Sequence, residues 1–89
     1  MLVISLGGSV IVPDKVDYIF LRKFRSIIKR YSRREKVVMV TGGGGTFRKY
    51  LKSLEKVKLD ELTIGLVGIA TTKLNARVVA GFFNKKGNI

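Results

Sequence analysis

Twice in this chain a short run of aliphatic residues stops at a cluster of glycines, and these two stops constrain the fold more than any other feature. Leu2-Val3-Ile4-Ser5-Leu6 runs into Gly7-Gly8-Ser9, and Val37-Val38-Met39-Val40 runs through Thr41 into Gly42-Gly43-Gly44-Gly45. Apolar residues in both runs are not confined to alternate positions, which predicts strands buried on both faces. Between them Asp17 is placed to cap a helix through about Tyr31. Phe20/Leu21, Phe24, Ile27/Ile28 and Tyr31 recur at three-to-four spacing there, with Arg22, Lys23, Arg25, Lys29 and Arg30 opposite. A strand–helix–strand unit with buried strands calls for parallel pairing through a right-handed crossover. Parallel neighbours end on the same side of a sheet, so the two glycine clusters are expected side by side.

The remaining chain reads as helical. Thr46 is placed to cap a second helix with Phe47, Leu51 and Leu54 on one face. A basic linker at residues 56–58 leads to Asp60, a candidate cap for a third helix. That helix carries Leu62, Leu66, Ile69, Leu74, Val78 and Phe82, with Gly87 just past its expected end. The 89 residues fit one small domain, and 46% hydrophobic with 27% charged residues is a globular composition. Residues 1–6 lack the basic start of a secretory signal, and residues 62–70 are interrupted by Thr63, Gly65 and Gly68 before Lys73. Neither segment is expected to direct export or span a membrane, and a soluble, cytoplasmic protein without a membrane partner is expected.

Chemistry is narrowed by two absences. Without Cys or His the chain has no thiolate, no imidazole base and none of the commonest zinc ligands, which removes most hydrolase and metalloenzyme readings. What remains is chemistry by backbone amides, Lys/Arg and a bound ion, or binding alone. Successive amides in glycine turns, followed by a helix start, form a nest for phosphate, and Gly7, Gly42, Gly45 and Thr46 are candidates for one. The plainer alternative is a pair of tight turns. No Gly-Lys-Ser/Thr follows the glycines, so this is not a Walker A loop, and Gly7-Gly8 lacks the third glycine of a dinucleotide fingerprint. Arg48, on the first turn of the following helix, is either a clamp on a bound phosphate or a solvated arginine.

Three ordered blocks carry a family resemblance: VISLGGSVIVP at residues 3–13, VVMVTGGGGTFRKYL at 37–51 and LVGIATTKLNARVV at 66–79. Together they resemble the archaeal-type UMP kinases of the amino-acid kinase (carbamate kinase-like) superfamily. Acetylglutamate and isopentenyl phosphate kinases usually have a His before the second glycine cluster, where this chain has Thr41. The resemblance implies a three-layer α/β/α sandwich, present in part as a parallel β-α-β core followed by two helices. It implies transfer of the ATP γ-phosphoryl group to UMP, giving UDP in pyrimidine nucleotide synthesis, with Mg²⁺ carried by the nucleotide. By motif, Gly8, Ser9, Gly44 and Arg48 would contact ATP, and Gly43 would contact UMP. Lys73 and Asn75 match a helix block near the acceptor side. No catalytic residue and no protein metal ligand is assigned.

The chain departs from that pattern in three places. The family usually has an Asp three residues before the Gly of the Gly68-Ile69 pair, holding the UMP nucleoside; here Gly65 stands there. Ser5 occupies a position where many superfamily members have Lys. The family's second half, with a later UMP loop and the ATP-base site, is not matched. Residues 1–89 therefore read as the N-terminal part of an amino-acid kinase domain, expected to self-associate or to pair with a complementing C-terminal half. One alternative function stays open. With 18 Lys/Arg against 6 Asp/Glu the net charge is +12, and nine of those cations lie between Lys15 and Lys36. A small basic nucleic-acid-binding or non-catalytic interaction module would use that face. No reading motif accompanies it, so nucleic acid is not the expected partner.

Overall fold

A computed structural model describes residues 1–83, and Gly87 lies outside the described residues. Six elements follow in order: β1 (Leu2–Leu6), α1 (Gly8–Ile11), α2 (Tyr18–Ser32), β2 (Val37–Thr41), α3 (Gly44–Ser53) and α4 (Glu61–Phe83). The strands pair in parallel, with Leu2 opposite Val37 and Leu6 opposite Thr41, so the two glycine clusters leave the same edge. This is the expected parallel β-α-β core followed by two helices.

Residues 2, 4 and 6 share a sheet face with 37, 39 and 41. On that face one core forms from Leu6, Ile11, Val12, Leu21 and Val79, with Phe20, Phe24, Met39, Val78, Phe82 and Phe83 packed against it. Phe24 stacks on Phe20 and meets the edge of Phe83, which joins α2 to the C-terminal end of α4. The other sheet face is open: Val3 is 58% and Val40 55% exposed, and Ser5 is exposed too. The expectation of strands buried on both faces is corrected here. Consecutive aliphatics bury on both sides only where both sides are covered, and α2 and α4 pack together against one.

α2 begins where the sequence places it, with Asp17 Oδ1 accepting the Phe20 N–H at 3.0 Å. Its buried stripe is narrower than the apolar spacing suggests. Leu21 and Ile28 are buried, while Ile27 and Tyr31 are exposed. The start of α3 differs from expectation. Gly43 precedes the helix, Thr46 lies inside its first turn, and no side chain caps it. The chain turns into the helix at Gly44, whose φ is +57°, and the Gly45 N–H is held by the Val12 carbonyl at 2.8 Å.

α4 begins at the expected cap, with Asp60 Oδ1 accepting the Thr63 N–H at 3.2 Å. Its inward face is not the apolar stripe. Leu62 (69% exposed), Leu66, Ile69 and Leu74 face outward, and the buried positions are Thr71, Asn75 and Val79. By length and composition alone this 23-residue helix, whose most apolar 18-residue stretch has a mean hydropathy of 1.2, is long and apolar enough to cross a membrane. In this fold Asn75 docks it on the glycine turn after β2, the Thr41 hydroxyl of β2 bonds its Thr72 carbonyl, and the Thr71 hydroxyl turns back to the Gly68 carbonyl of the same helix.

Candidate functional site

The two glycine turns meet backbone to backbone. A Cβ on Gly8 would lie 2.6 Å from the Gly42 carbonyl carbon and 2.7 Å from Gly44 Cα. One on Gly44 would strike the Gly8 carbonyl, and one on Gly45 would sit 2.6 Å from the Val12 oxygen. Gly44 also holds the left-handed backbone that side chains disfavour. Glycine at 8, 44 and 45 is therefore demanded by the closeness of the turns, whatever else they do. Gly7 differs. Its backbone is ordinary (φ −58°, ψ 139°), and an added Cβ would meet only Val10 Cγ2, at 3.9 Å.

Asn75 locks this joint from α4. Only 1% exposed, it donates through Nδ2 to the Gly42 carbonyl at 2.8 Å and to the Gly43 carbonyl at 3.1 Å. One turn earlier the Thr41 hydroxyl donates to the Thr72 carbonyl at 3.1 Å. Sequence reasoning placed Asn75 in an acceptor-side block and missed this anchoring. The available signal was the one carboxamide within α4, one turn from Thr71, since a buried amide needs a partner.

On one side of the joint the exposed Arg48 reaches back from α3. Its Nη1 donates to Ser9 Oγ at 2.8 Å and its Nη2 to the Pro13 carbonyl at 3.4 Å. Lys49 donates to the Asp14 carbonyl at 2.8 Å and pairs with its carboxylate at 3.0 Å. The hydrogen bond from Lys49, and then its charge, hold the Asp14 carboxyl below its ordinary value. Arg48, Lys49 and Lys52 line a groove of about 280 Å³ with Pro13 and Gly45. Gly8, Ser9, Gly44 and Arg48 thus converge on one edge, which is cationic. The Gly45 N–H is taken by Val12, Gly42 turns its carbonyl to Asn75, and Thr46 sits within α3.

A second groove, about 500 Å³, runs between α3 and α4 and is lined by Gly43, Phe47, Gly65, Gly68, Thr72 and Lys73 among others. It brings together Gly43, Lys73 and the departing position Gly65. Among the described residues no three His, Cys, Asp or Glu side chains gather as a metal-binding group.

Known proteins match this arrangement. The profile of the amino acid kinase family matches residues 1–88. The uridylate kinase of Methanospirillum hungatei is 36% identical over 80 residues, covering 90% of this chain and 34% of that protein. The uridylate kinase of Thermoplasma acidophilum is 40% identical over 79 residues, covering 89% of this chain and 34% of that protein. The crystal structure of uridylate kinase from Archaeoglobus fulgidus superposes with a TM-score of 0.78 at 32% identity, covering 92% of this chain and 37% of that one. The chain spans about a third of the length of the curated relatives it matches. With a family match over residues 1–88 and a backbone that superposes on a solved uridylate kinase, the chain belongs to the amino acid kinase family.

Proposed function

We propose that this chain forms the phosphate-handling part of a UMP kinase, which moves the γ-phosphoryl group of ATP to UMP and releases UDP. The observation that carries this reading is the Arg48–Ser9 pair beside the joined glycine turns. Arg48 bonds to a neutral hydroxyl and a carbonyl, so a phosphate oxygen offers its guanidinium a stronger, charge-assisted partner. Gly8, Ser9 and Gly44 carry the ATP phosphates beside it, and Gly43 faces UMP in the second groove. Phosphoryl transfer relies on positioning and charge stabilisation more than on a protein base, which suits a chain without histidine. Mg²⁺ carried by the nucleotide would supply charge neutralisation at the phosphates, and Arg48 with Ser9 would hold and orient them.

The cytoplasm is the proposed location. The proposed macromolecular partner is a second copy of this chain or a complementing C-terminal half, supported by the open sheet face at Val3 and Val40. The 89-residue chain by itself is expected to bind nucleotide without forming UDP above background, since it matches about a third of each relative.

Calorimetric titration of Mg-ATP into the chain and into Arg48→Ala tests the reading. The variant is expected to lose roughly 1.5–3 kcal/mol of binding, the scale of a charged hydrogen bond, with an unchanged melting temperature. Equal affinities would make Arg48 a structural tie between α3 and the loop at Pro13.

A further inference from the structure

Gly65 is a glycine the fold does not need. It lies inside α4, where glycine weakens a helix relative to alanine. A Cβ built on it meets nothing within 4 Å. Among the described residues only Gly44 has a positive φ, so backbone geometry does not demand glycine at 65 either. Its bare backbone instead forms part of the wall of the α3–α4 groove.

The chemistry of that groove is sparse. Its volume, about 500 Å³, lies within the ~300–1,000 Å³ range of small-molecule sites. Phe47 and Ile69 give it apolar surface, Thr72 gives one neutral hydroxyl, and among the described residues Lys73 is its single ionisable group. A phosphate complements Lys73, and the face of a pyrimidine ring complements Phe47 and Ile69. Gly65 is eight residues before Lys73, about 12 Å of helix rise, so a phosphate at Lys73 directs its nucleoside along α4 toward Gly65. Sugar hydroxyls in that space find no carboxylate to donate to. A site rejects an analogue lacking a hydroxyl only when it has built a partner for that hydroxyl.

We infer that the groove is indifferent to the sugar of its nucleotide and takes 2′-deoxyuridine monophosphate as readily as UMP. This rests on the reading of the groove as the UMP side of the site, and Gly65 is the residue that sets the selectivity.

Titration of UMP and dUMP into the 89-residue chain, Gly65→Asp and Gly65→Ala tests it, with circular dichroism melts of all three. The parent chain is expected to bind the two nucleotides within threefold of each other. Gly65→Asp, which adds an acceptor in open space, is expected to shift the ratio about tenfold toward UMP. Gly65→Ala controls for helix propensity: it should melt higher and shift the ratio less than Gly65→Asp, since a methyl offers no acceptor. A parent chain that prefers UMP by more than threefold, or a Gly65→Asp ratio that does not move, overturns the inference alone. ATP binding with neither UMP nor dUMP bound removes the acceptor reading and the inference together.

Discussion

α2 and α4 are docked by opposite means. α2 turns Leu21 and Ile28 inward and sets Arg22, Lys23 and Arg30 outside, with the Arg22 guanidinium 5.4 Å from the centre of the Tyr18 ring. α4 turns Thr71 and Asn75 inward beside Val79 and leaves Leu62, Leu66, Ile69 and Leu74 outside. The difference follows from what each helix meets. α2 lies over side chains of the sheet and core, so apolar burial holds it. The middle of α4 meets a turn made of glycines, which offers only carbonyls and amides. A helix can dock on such a surface only by presenting hydrogen-bonding groups, since buried carbonyls left unpaired are costly. Leu62, Leu66, Ile69 and Leu74 then fall on its outer face, while Val78, Val79, Phe82 and Phe83 pack into the core at its far end.

Truncating one leucine on each helix is the strongest way to break this contrast. Leu21→Ala is expected to cost about 2–5 kcal/mol through lost burial and a residual cavity, and Leu66→Ala less than about 0.5 kcal/mol. Urea unfolding followed by circular dichroism measures both, and similar losses would show the outer face of α4 to be packed after all. Asn75→Ala sharpens the contrast from the other side. It leaves the Gly42 and Gly43 carbonyls unpaired and should cost about 1–3 kcal/mol, although it removes no apolar contact. A loss below about 0.5 kcal/mol would mean that α4 is held by its Val79 end alone.

The smallest effect concerns the exposed start of α4. The Asp60 carboxyl is held below its ordinary 3.8, first by the hydrogen bond to the Thr63 side chain and then by the Thr63 N–H. A depressed folded-state value means the cap contributes above 3.8 and is lost as pH falls through the lower, folded value. Helical signal should therefore be flat down to about pH 4 and decline below it. Asp60→Asn keeps an N-cap oxygen without the titration, so its acid decline should be the smaller of the two. Identical acid profiles would remove Asp60 as a pH-dependent cap.

The strands, their parallel order and the start of α2 were legible because each rests on local chemistry. Aliphatic runs end at glycines, and Asp17 stands three residues before the Phe20 N–H that it accepts. The start of α3 was not legible, because a threonine after four glycines looks like a cap. What sets the boundary is a long-range contact, Gly45 N–H to Val12, that residues 42–46 do not reveal. The orientation of α4 was hidden for a related reason. Periodicity identifies its apolar stripe but not whether the neighbouring surface is side chain or bare backbone. In the candidate site, Ser9 and Arg48 were each visible as polar groups next to a glycine turn. Their 2.8 Å contact across 39 residues follows from the parallel register, and the role of Asn75 follows from the carbonyls it serves.

The same register imposes a schedule on synthesis. Leu6 has its partner in Thr41, and at ~5–20 residues per second the ribosome needs roughly 2–7 s to add the 41 − 6 = 35 residues between them. Until then the first strand is an aliphatic segment with no ladder to join. Asn75 follows Gly42 by a further 33 residues, so the nascent β-α-β unit passes through a comparable interval with its turns in contact but unlatched. The strand pairing and the Asn75 latch are both non-local contacts, and contacts of that kind form late. α4 thus fastens the second of the two glycine turns, and a ribosome that stalls before Asn75 leaves that turn unlatched.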